Sequence, residues 1–288
     1  MKQNPEVKKQ KSYTLNLLAA PKRKDFLQCF LPKPGYKLIQ ADINALEPHV
    51  LAHASQDKNF MRVYGPNAKP GHDIYLLAGM QVPGVGSKIE KYYDVDNPDP
   101  DKIAQAKKDL KDLRTNLLKP AFLGFLYGIG PGTLSTNLRI DYMEAVSILK
   151  GLERQFIGKL RFHEKLEAEW ARNGGFIVNG RGRPVCVDFG AKKDLVNRFV
   201  QSTGVDFLNR ILLHMNDYRI QNNLNVISYF PNWHDESIWQ VKDDLQEIEK
   251  ATEMFKYGMQ KLNEELKWSV VFKWGGVQVG DDLSVRCE

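Results

Sequence analysis

Three acidic residues lie where they could carry out chemistry. Asp42 ends the short, mostly apolar run 37–42, and Asp235 and Glu236 stand side by side in a turn-like segment. Carboxylates held at strand ends in an apolar sheet repel one another unless a cation neutralises them. Magnesium takes oxygen ligands, often one or two carboxylates together with substrate phosphates. The three residues are candidates for a centre with two metal ions, although acidic pairs in solvated turns are also common.

The segment 119–128 carries a second set of candidates. Lys119, Leu123 and Tyr127 are spaced four residues apart, so they share one face if the segment is helical. A cation, an apolar residue and an aromatic ring in line could hold a triphosphate, a sugar and a base. A core helix with one solvated lysine would give the same spacing, and the segment alone leaves both interpretations open.

Hydrophobic periodicity predicts the elements that position these residues. Strands are predicted at 37–42, 226–230, 237–241 and 268–274, with a further hairpin at 176–187. Helices are predicted at 46–54, 73–80, 100–127 with an interruption at Pro120, from Asp141 to about 172, 195–215 and 245–266. Strands near the ends of the chain and helices in the middle indicate an α+β fold.

Composition limits the class of protein. The chain has 288 residues, of which 42% are hydrophobic and 26% charged, which excludes a wholly disordered chain. No apolar stretch approaches the roughly 20 residues of a membrane span, so no membrane partner is expected. Three cysteines without C-x-x-C spacing argue against a zinc site or a disulfide framework and favour a reducing compartment.

Positive charge is concentrated at the start of the chain. Residues 1–40 contain nine Lys or Arg against two acidic residues, whereas the whole chain has a net charge of +6. This pattern indicates a local anionic partner or a solvated tail. Residues 1–12 are expected to be a disordered basic N-terminus.

Four motifs, in order, resemble those of the family A DNA polymerases of bacteria and bacteriophages. Residues 42–53 resemble motif A, and residues 119–128 resemble motif B, with 124–128 closest to the phage members. Residues 197–202 resemble the N-x-x-x-Q segment, and residues 234–236 match the H-D-E of motif C. The order of these motifs and their approximate spacing agree with those of the family across residues 13–288.

The resemblance implies a DNA-directed DNA polymerase, a nucleotidyltransferase that uses two Mg²⁺ ions, with Mn²⁺ as an alternative. Asp42 and Asp235 would hold the metal ions and Glu236 would support them as the third catalytic carboxylate. The implied nucleotide-binding residues are Lys119, Tyr127, Glu47, Leu123, Ile43, Arg114 and Tyr75. The implied DNA-binding residues are His234, Gln201, Asn197, Lys192 and Lys193.

The same resemblance implies an architecture and partners. The fold would be a right-hand polymerase core lacking the thumb and exonuclease domain, with an antiparallel-sheet palm and mostly helical fingers. The palm would comprise residues 13–52 and 188–288, and the fingers residues 53–187. Primer–template DNA and dNTPs would be partners, together with a separate subunit that supplies the thumb, with or without a 3′–5′ exonuclease. The protein would be virus-encoded and act in the host cytoplasm.

Several positions depart from the family pattern. Thr115 stands four residues before Lys119, where the family has an arginine, and Arg114 is one residue further away. Either the helix is distorted before Pro120 or this phosphate contact is lost. Tyr75, His49 and Leu123 also replace a histidine, an arginine and an aromatic residue of the family.

Two other functions remain open on the sequence. A non-catalytic DNA-binding or scaffolding subunit descended from such a polymerase would explain the departures in motif B. A magnesium-dependent nuclease or phosphatase would explain the carboxylates but not the Lys119–Tyr127 helix.

Overall fold

A computed structural model describes residues 23–287; the predicted disordered segment 1–12 lies outside them. The strands are β1 (Tyr36–Asp42), β2 (Phe176–Val178), β3 (Pro184–Cys186), β4 (Val226–Trp233), β5 (Glu236–Lys242) and β6 (Gln278–Gly280). The first eight α-helices are α1 (Lys24–Leu27), α2 (Leu46–Ser55), α3 (Lys58–Tyr64), α4 (Ile74–Gly79), α5 (Gly86–Ile89), α6 (Pro100–Asp109), α7 (Lys111–Leu113) and α8 (Lys119–Leu126). The later helices are α9 (Pro131–Leu138), α10 (Tyr142–Gln155), α11 (Ile157–Arg172), α12 (Leu195–Gln221) and α13 (Leu245–Leu266).

The main sheet has the strand order β4–β5–β1–β6, and its pairings are antiparallel. Side chains alternate between its two faces, as the period of a strand requires. Ile39 belongs to the large core that includes α12 and α13. Leu38 and Ile238 belong to a smaller cluster with Leu27 and Leu283. The central strand is therefore buried on both faces, and the predicted α+β class is confirmed.

The helical region packs around a cluster of buried aromatic rings. Phe60, Phe122 and Phe156 have ring centroids 5.0 to 6.0 Å apart. The single long helix predicted from Asp141 is wrong, because the chain breaks at Phe156, between α10 and α11. The break buries Phe156 completely and exposes the first N–H groups of α11, of which Gly158 N–H donates to the Asp57 carboxylate over 2.7 Å.

The helix predicted at 100–127 does begin at Pro100, with the Asp99 side chain as its cap, but it is not interrupted at Pro120. The break lies at Leu110 (φ −106°, ψ 21°). A π-helix, Arg114–Leu118, then leads directly into α8. Pro120 is tolerated because its missing N–H falls where the hydrogen-bond pattern changes from π to α.

The strand predicted at 268–274 is also wrong. An isolated bridge joins Trp274 to Ile43, and β6 follows at Gln278–Gly280. The Asn263 side chain accepts a hydrogen bond from Phe272 N–H and donates one to Phe272 carbonyl oxygen. Because a side chain satisfies these backbone groups, no neighbouring strand is needed there.

Other predicted elements hold with adjusted ends. Helix α13 matches the predicted 245–266, whereas α12 continues beyond 215 to Gln221. Strands β4 and β5 extend further toward each other than predicted. No helix within residues 23–287 is both long and apolar enough to cross a bilayer. The boundaries proposed for palm and fingers stay predictions.

Candidate active site

Strand pairing assembles the three candidate carboxylates. Asp42, the last residue of β1, lies directly opposite Glu236, the first residue of β5. Asp235 belongs to the two-residue turn between β4 and β5, in which His234 has a φ of 59°. Ile43 N–H donates to the Asp235 carbonyl oxygen over 2.9 Å. Residues nearly two hundred positions apart are thus fixed at one edge of the sheet.

A glycine that sequence reasoning missed lies against this group. Gly275 N–H donates to the Asp42 carbonyl oxygen over 2.8 Å. A Cβ atom at Gly275 would lie only 2.6 Å from Asp42 Oδ1, closer than real contacts allow. The pair Gly275–Gly276 was the available signal, and its meaning required knowing that the segment passes beside Asp42.

The donor atoms of this group suit a hard divalent cation. Directly opposite carboxylates destabilise a strand pair unless something compensates their charge. Within residues 23–287, no group of three or more His, Cys, Asp or Glu side chains is arranged so that it could hold a metal ion. Magnesium does not need one, because it commonly uses one or two carboxylates and takes its other ligands from water and substrate phosphates. The carboxylate oxygens of Asp42 and its neighbours are donors of the type that such a site uses.

Glu47 and Tyr127 form a pair beside the carboxylates. The Tyr127 hydroxyl donates a hydrogen bond to Glu47 Oε2, joining the first turn of α2 to the end of α8. Burial raises the pKa of Glu47; the bond from Tyr127 opposes this rise and the charge of Asp235 adds to it. Burial also raises the pKa of Tyr127. The electrostatic influence of Asp235 on both groups indicates that the pair lies close to the acidic centre.

Helix α8 also carries Lys119 and Leu123, the other two candidates from motif B. Lys119, its first residue, is exposed, and Leu123 is half-buried. Tyr127 N–H closes the helix by bonding to Leu123 carbonyl oxygen. The segment is therefore helical, and Lys119, Leu123 and Tyr127 lie along one face of it, as their spacing predicts.

The π-helix places Arg114 one turn before Lys119. Lys119 N–H bonds to the Arg114 carbonyl oxygen, five residues back, so the extra residue is absorbed and the two side chains lie on the same side. Arg114 donates to the carboxylate of Asp73 over 3.1 Å and lies 4.7 Å above the centre of the Tyr75 ring. Of the two alternatives left by the sequence, the local distortion is present.

The remaining candidates are more dispersed. Gln201 is exposed on α12, and Lys193 is exposed in the short segment before it. Lys192 pairs with Glu167 at 3.3 Å. His234 is exposed in the turn that carries Asp235.

Asn197, predicted to contact DNA, is half-buried on α12. Its Oδ1 atom is buried without a hydrogen-bond partner. It lines a small cavity together with Glu47 and Tyr127. The structure thus associates Asn197 with the Glu47–Tyr127 pair.

Comparison with known proteins gives a consistent result. The family model described as DNA polymerase family A matches residues 14–281. The chain is 27% identical over 190 residues to a DNA polymerase of Mycobacterium phage D29, covering 66% of this chain and 27% of that protein. It is 26% identical over 234 residues to a thermostable DNA polymerase I of Thermus filiformis, covering 78% of this chain and 25% of that protein.

The fold also has a solved counterpart. The POL domain of Pol1 from M. smegmatis, in complex with DNA primer-template and dNTP, superimposes with a TM-score of 0.72 at 18% identity. The match covers 95% of this chain and 45% of the solved chain. The chain spans about a quarter of the length of these curated relatives.

Proposed function

Because the chain belongs to DNA polymerase family A, we propose that it catalyses template-directed DNA synthesis. The primer 3′-hydroxyl would attack the α-phosphorus of a dNTP in line, and pyrophosphate would leave. The observation that carries the proposal is the pairing of Asp42 with Glu236, with Asp235 in the adjoining turn. The Glu47–Tyr127 pair beside them favours a polymerase over a nuclease or phosphatase, which would have no use for it.

Asp42 and Asp235 would hold two Mg²⁺ ions, or Mn²⁺ in their place. When bound, such ions activate the attacking hydroxyl and neutralise charge on the phosphates. Glu236 is 5% exposed on β5, directly opposite Asp42. Its role would be to support the site from a fixed strand position, where its negative charge adds to the attraction for the metal ions.

The fingers residues would orient the nucleotide. Lys119 would contact the phosphates, where its charge compensates negative charge that develops during transfer. Tyr127 would stack near the nascent base pair, with Leu123 beside the sugar. Glu47, held by the Tyr127 hydroxyl, would exclude a ribose 2′-hydroxyl. Ile43 would contribute through atoms other than its N–H, which is bonded to Asp235.

Primer–template DNA would lie across the palm. His234 and Gln201 would contact the primer end or the minor groove, and Lys192 and Lys193 the phosphate backbone, as exposed lysines commonly do. Asn197 would act on the template side through its neighbour Tyr127. The solved M. smegmatis domain was obtained with DNA primer-template and dNTP, which supports this choice of ligands.

A separate subunit that supplies the thumb, with or without a 3′–5′ exonuclease, is the second part of the proposal. Relatives from Mycobacterium phages support a virus-encoded protein acting in the host cytoplasm. Purification of the native protein tests the partner: a stoichiometric second polypeptide is expected, and one longer polypeptide containing this sequence would contradict it.

Primer extension with dNTPs and Mg²⁺ tests the activity. Asp42→Ala and Asp235→Ala should each reduce the rate at least about a hundredfold, since each removes a charge from the reacting centre. Asp281→Asn is the matched control, because its side chain is 87% exposed and pairs only with Lys37 within the described residues. Equal extension by wild type and both alanine variants would refute the metal assignment.

The absence of any extension, alone or with the co-purified partner, would favour the scaffolding alternative.

Sugar selection gives an independent test. Glu47→Ala should raise ribonucleotide incorporation relative to deoxyribonucleotide incorporation by about tenfold or more, the effect of losing roughly 1.4 kcal/mol of discrimination. Unchanged discrimination would make Glu47 a structural partner of Tyr127 only.

A further inference from the structure

Asp73 joins three elements of the helical region. Its side chain is 5% exposed. Oδ1 accepts the N–H groups of Tyr75 and Leu76 over 3.0 and 3.1 Å, which caps α4. Oδ2 pairs with Arg114 at 3.1 Å and with Lys107 at 3.4 Å. One buried carboxylate therefore ties α4 to both α6 and the π-helix.

Arg114 is fixed on two sides and unsatisfied on a third. One terminal nitrogen bonds to Asp73, and the guanidinium lies over the Tyr75 ring. Its Nε atom is buried and has no hydrogen-bond partner. Buried donors without acceptors are rare in folded proteins, so this atom indicates an acceptor that completes the site.

The positive charge of the neighbouring Lys119 indicates the chemical nature of that acceptor. The π-helix puts Lys119 one turn beyond Arg114 on the same side, and Lys119 is exposed with no ion pair to any residue in 23–287. Two cations, one of them a planar fork with a spare N–H, suit a phosphate oxygen. The single negative charge of Asp73 neutralises only part of the two positive charges of Lys107 and Arg114.

We propose that Asp73 is a positioning residue for nucleotide binding, which holds Arg114 so that its Nε can meet a phosphate beside Lys119. The inference rests on the proposed function and extends it to a residue outside the motifs. A free arginine loses several rotatable bonds of freedom when it binds a ligand, whereas one already held by a carboxylate and a ring loses little. Asp73 thus contributes to affinity without touching the nucleotide.

Calorimetric binding of dATP with Mg²⁺, using the full chain, tests the proposal without requiring turnover. Asp73→Asn keeps the helix cap, because asparagine caps as well as aspartate, but removes the charge that holds Arg114. It should weaken dATP binding by about tenfold, the effect of leaving one long side chain mobile. Asp99→Asn is the control: Asp99 caps α6 in the same way, and its substitution should leave the affinity unchanged.

A double-mutant cycle shows whether Asp73 acts through Arg114. In an Arg114→Met background, Asp73→Asn should have no further effect on dATP binding. The same tenfold loss in that background, or unchanged affinity in the single variant, would overturn the proposal. Arg114→Lys is a second variant that retains the Asp73 carboxylate; it should bind as weakly as Arg114→Met, since it lacks Nε, and wild-type affinity would contradict the inference. Failure of primer extension with this binding pattern intact would refute the proposed function alone.

Discussion

Lys159 offers a quantitative test of how the helical region supports α8. Its side chain is buried, with 5% exposure. Its amine donates to the Phe125 carbonyl oxygen over 3.2 Å and lies 4.6 Å from the centre of the Phe125 ring. Burial lowers the pKa of Lys159 from 10.5 to about 8, and Glu153 opposes the decrease only weakly. The lysine therefore holds the last turn of α8, near Tyr127, at the expense of a partly desolvated charge.

The sign and the magnitude of the pH dependence of stability follow from the difference between the pKa of Lys159 in the folded and in the unfolded protein. Because the pKa is lower in the folded state than in the unfolded state, the folded protein binds fewer protons between about pH 8 and 10.5. The contribution of Lys159 to stability is therefore fully present above the unfolded pKa and is lost as the pH falls through the folded pKa. The decrease from 10.5 to about 8 corresponds to about 3 kcal/mol in total, of which about 2 kcal/mol should be regained between about pH 7 and 10.

Urea denaturation of wild type and Lys159→Met at these two pH values measures the effect. The free energy of unfolding of wild type relative to the variant should rise by about 2 kcal/mol on going to the higher pH. Lys150→Met, which replaces an exposed lysine on α10, should show no such change. A constant difference between wild type and Lys159→Met would refute the reasoning, because it would mean that Lys159 titrates alike in both states.

Two further predictions concern the candidate active site. Gly275→Ala should lower the rate of primer extension by at least about tenfold with less than about 1 kcal/mol change in stability, because its Cβ would displace the Asp42 carboxylate; an unchanged rate would show that Asp42 tolerates displacement. Deletion of Thr115 should convert the π-helix to an α-helix and leave Arg114 four residues before Lys119, so affinity for dATP should stay within about threefold of wild type; a loss equal to that of Arg114→Met would show that the π-helix itself is required.

The success of the sequence predictions depended on how local their causes were. Helix α13 begins at a side-chain cap, Asp244, and follows an amphipathic pattern, so both ends were readable. The break at Phe156 was not, because it depends on the Asp57 carboxylate, which reaches Gly158 from a hundred residues away. Within regular secondary structure, periodicity carries no record of such a partner.

The candidate site also contains both features with local causes, which the sequence predicted, and features with distant causes, which it did not. The order of motifs predicted that Asp42 and Asp235 belong to one centre, and the sheet brings their backbones into contact. The register of Arg114 was left open because a π-turn has no reliable sequence signal. The positioning role that we propose for Asp73 was missed because its two ion pairs come from helices that are distant in sequence.

The pairing of β1 with β5 has a consequence for biosynthesis. Roughly 190 residues separate Asp42 from Glu236, so at about 5–20 residues per second the first half of the pair waits on the order of 10–40 s for the second during translation. Throughout that interval β1 is an apolar strand without its partners, the kind of segment that chaperones bind and that aggregates when left exposed. A chain terminated between β1 and β5 would contain Asp42 and yet never assemble the acidic centre.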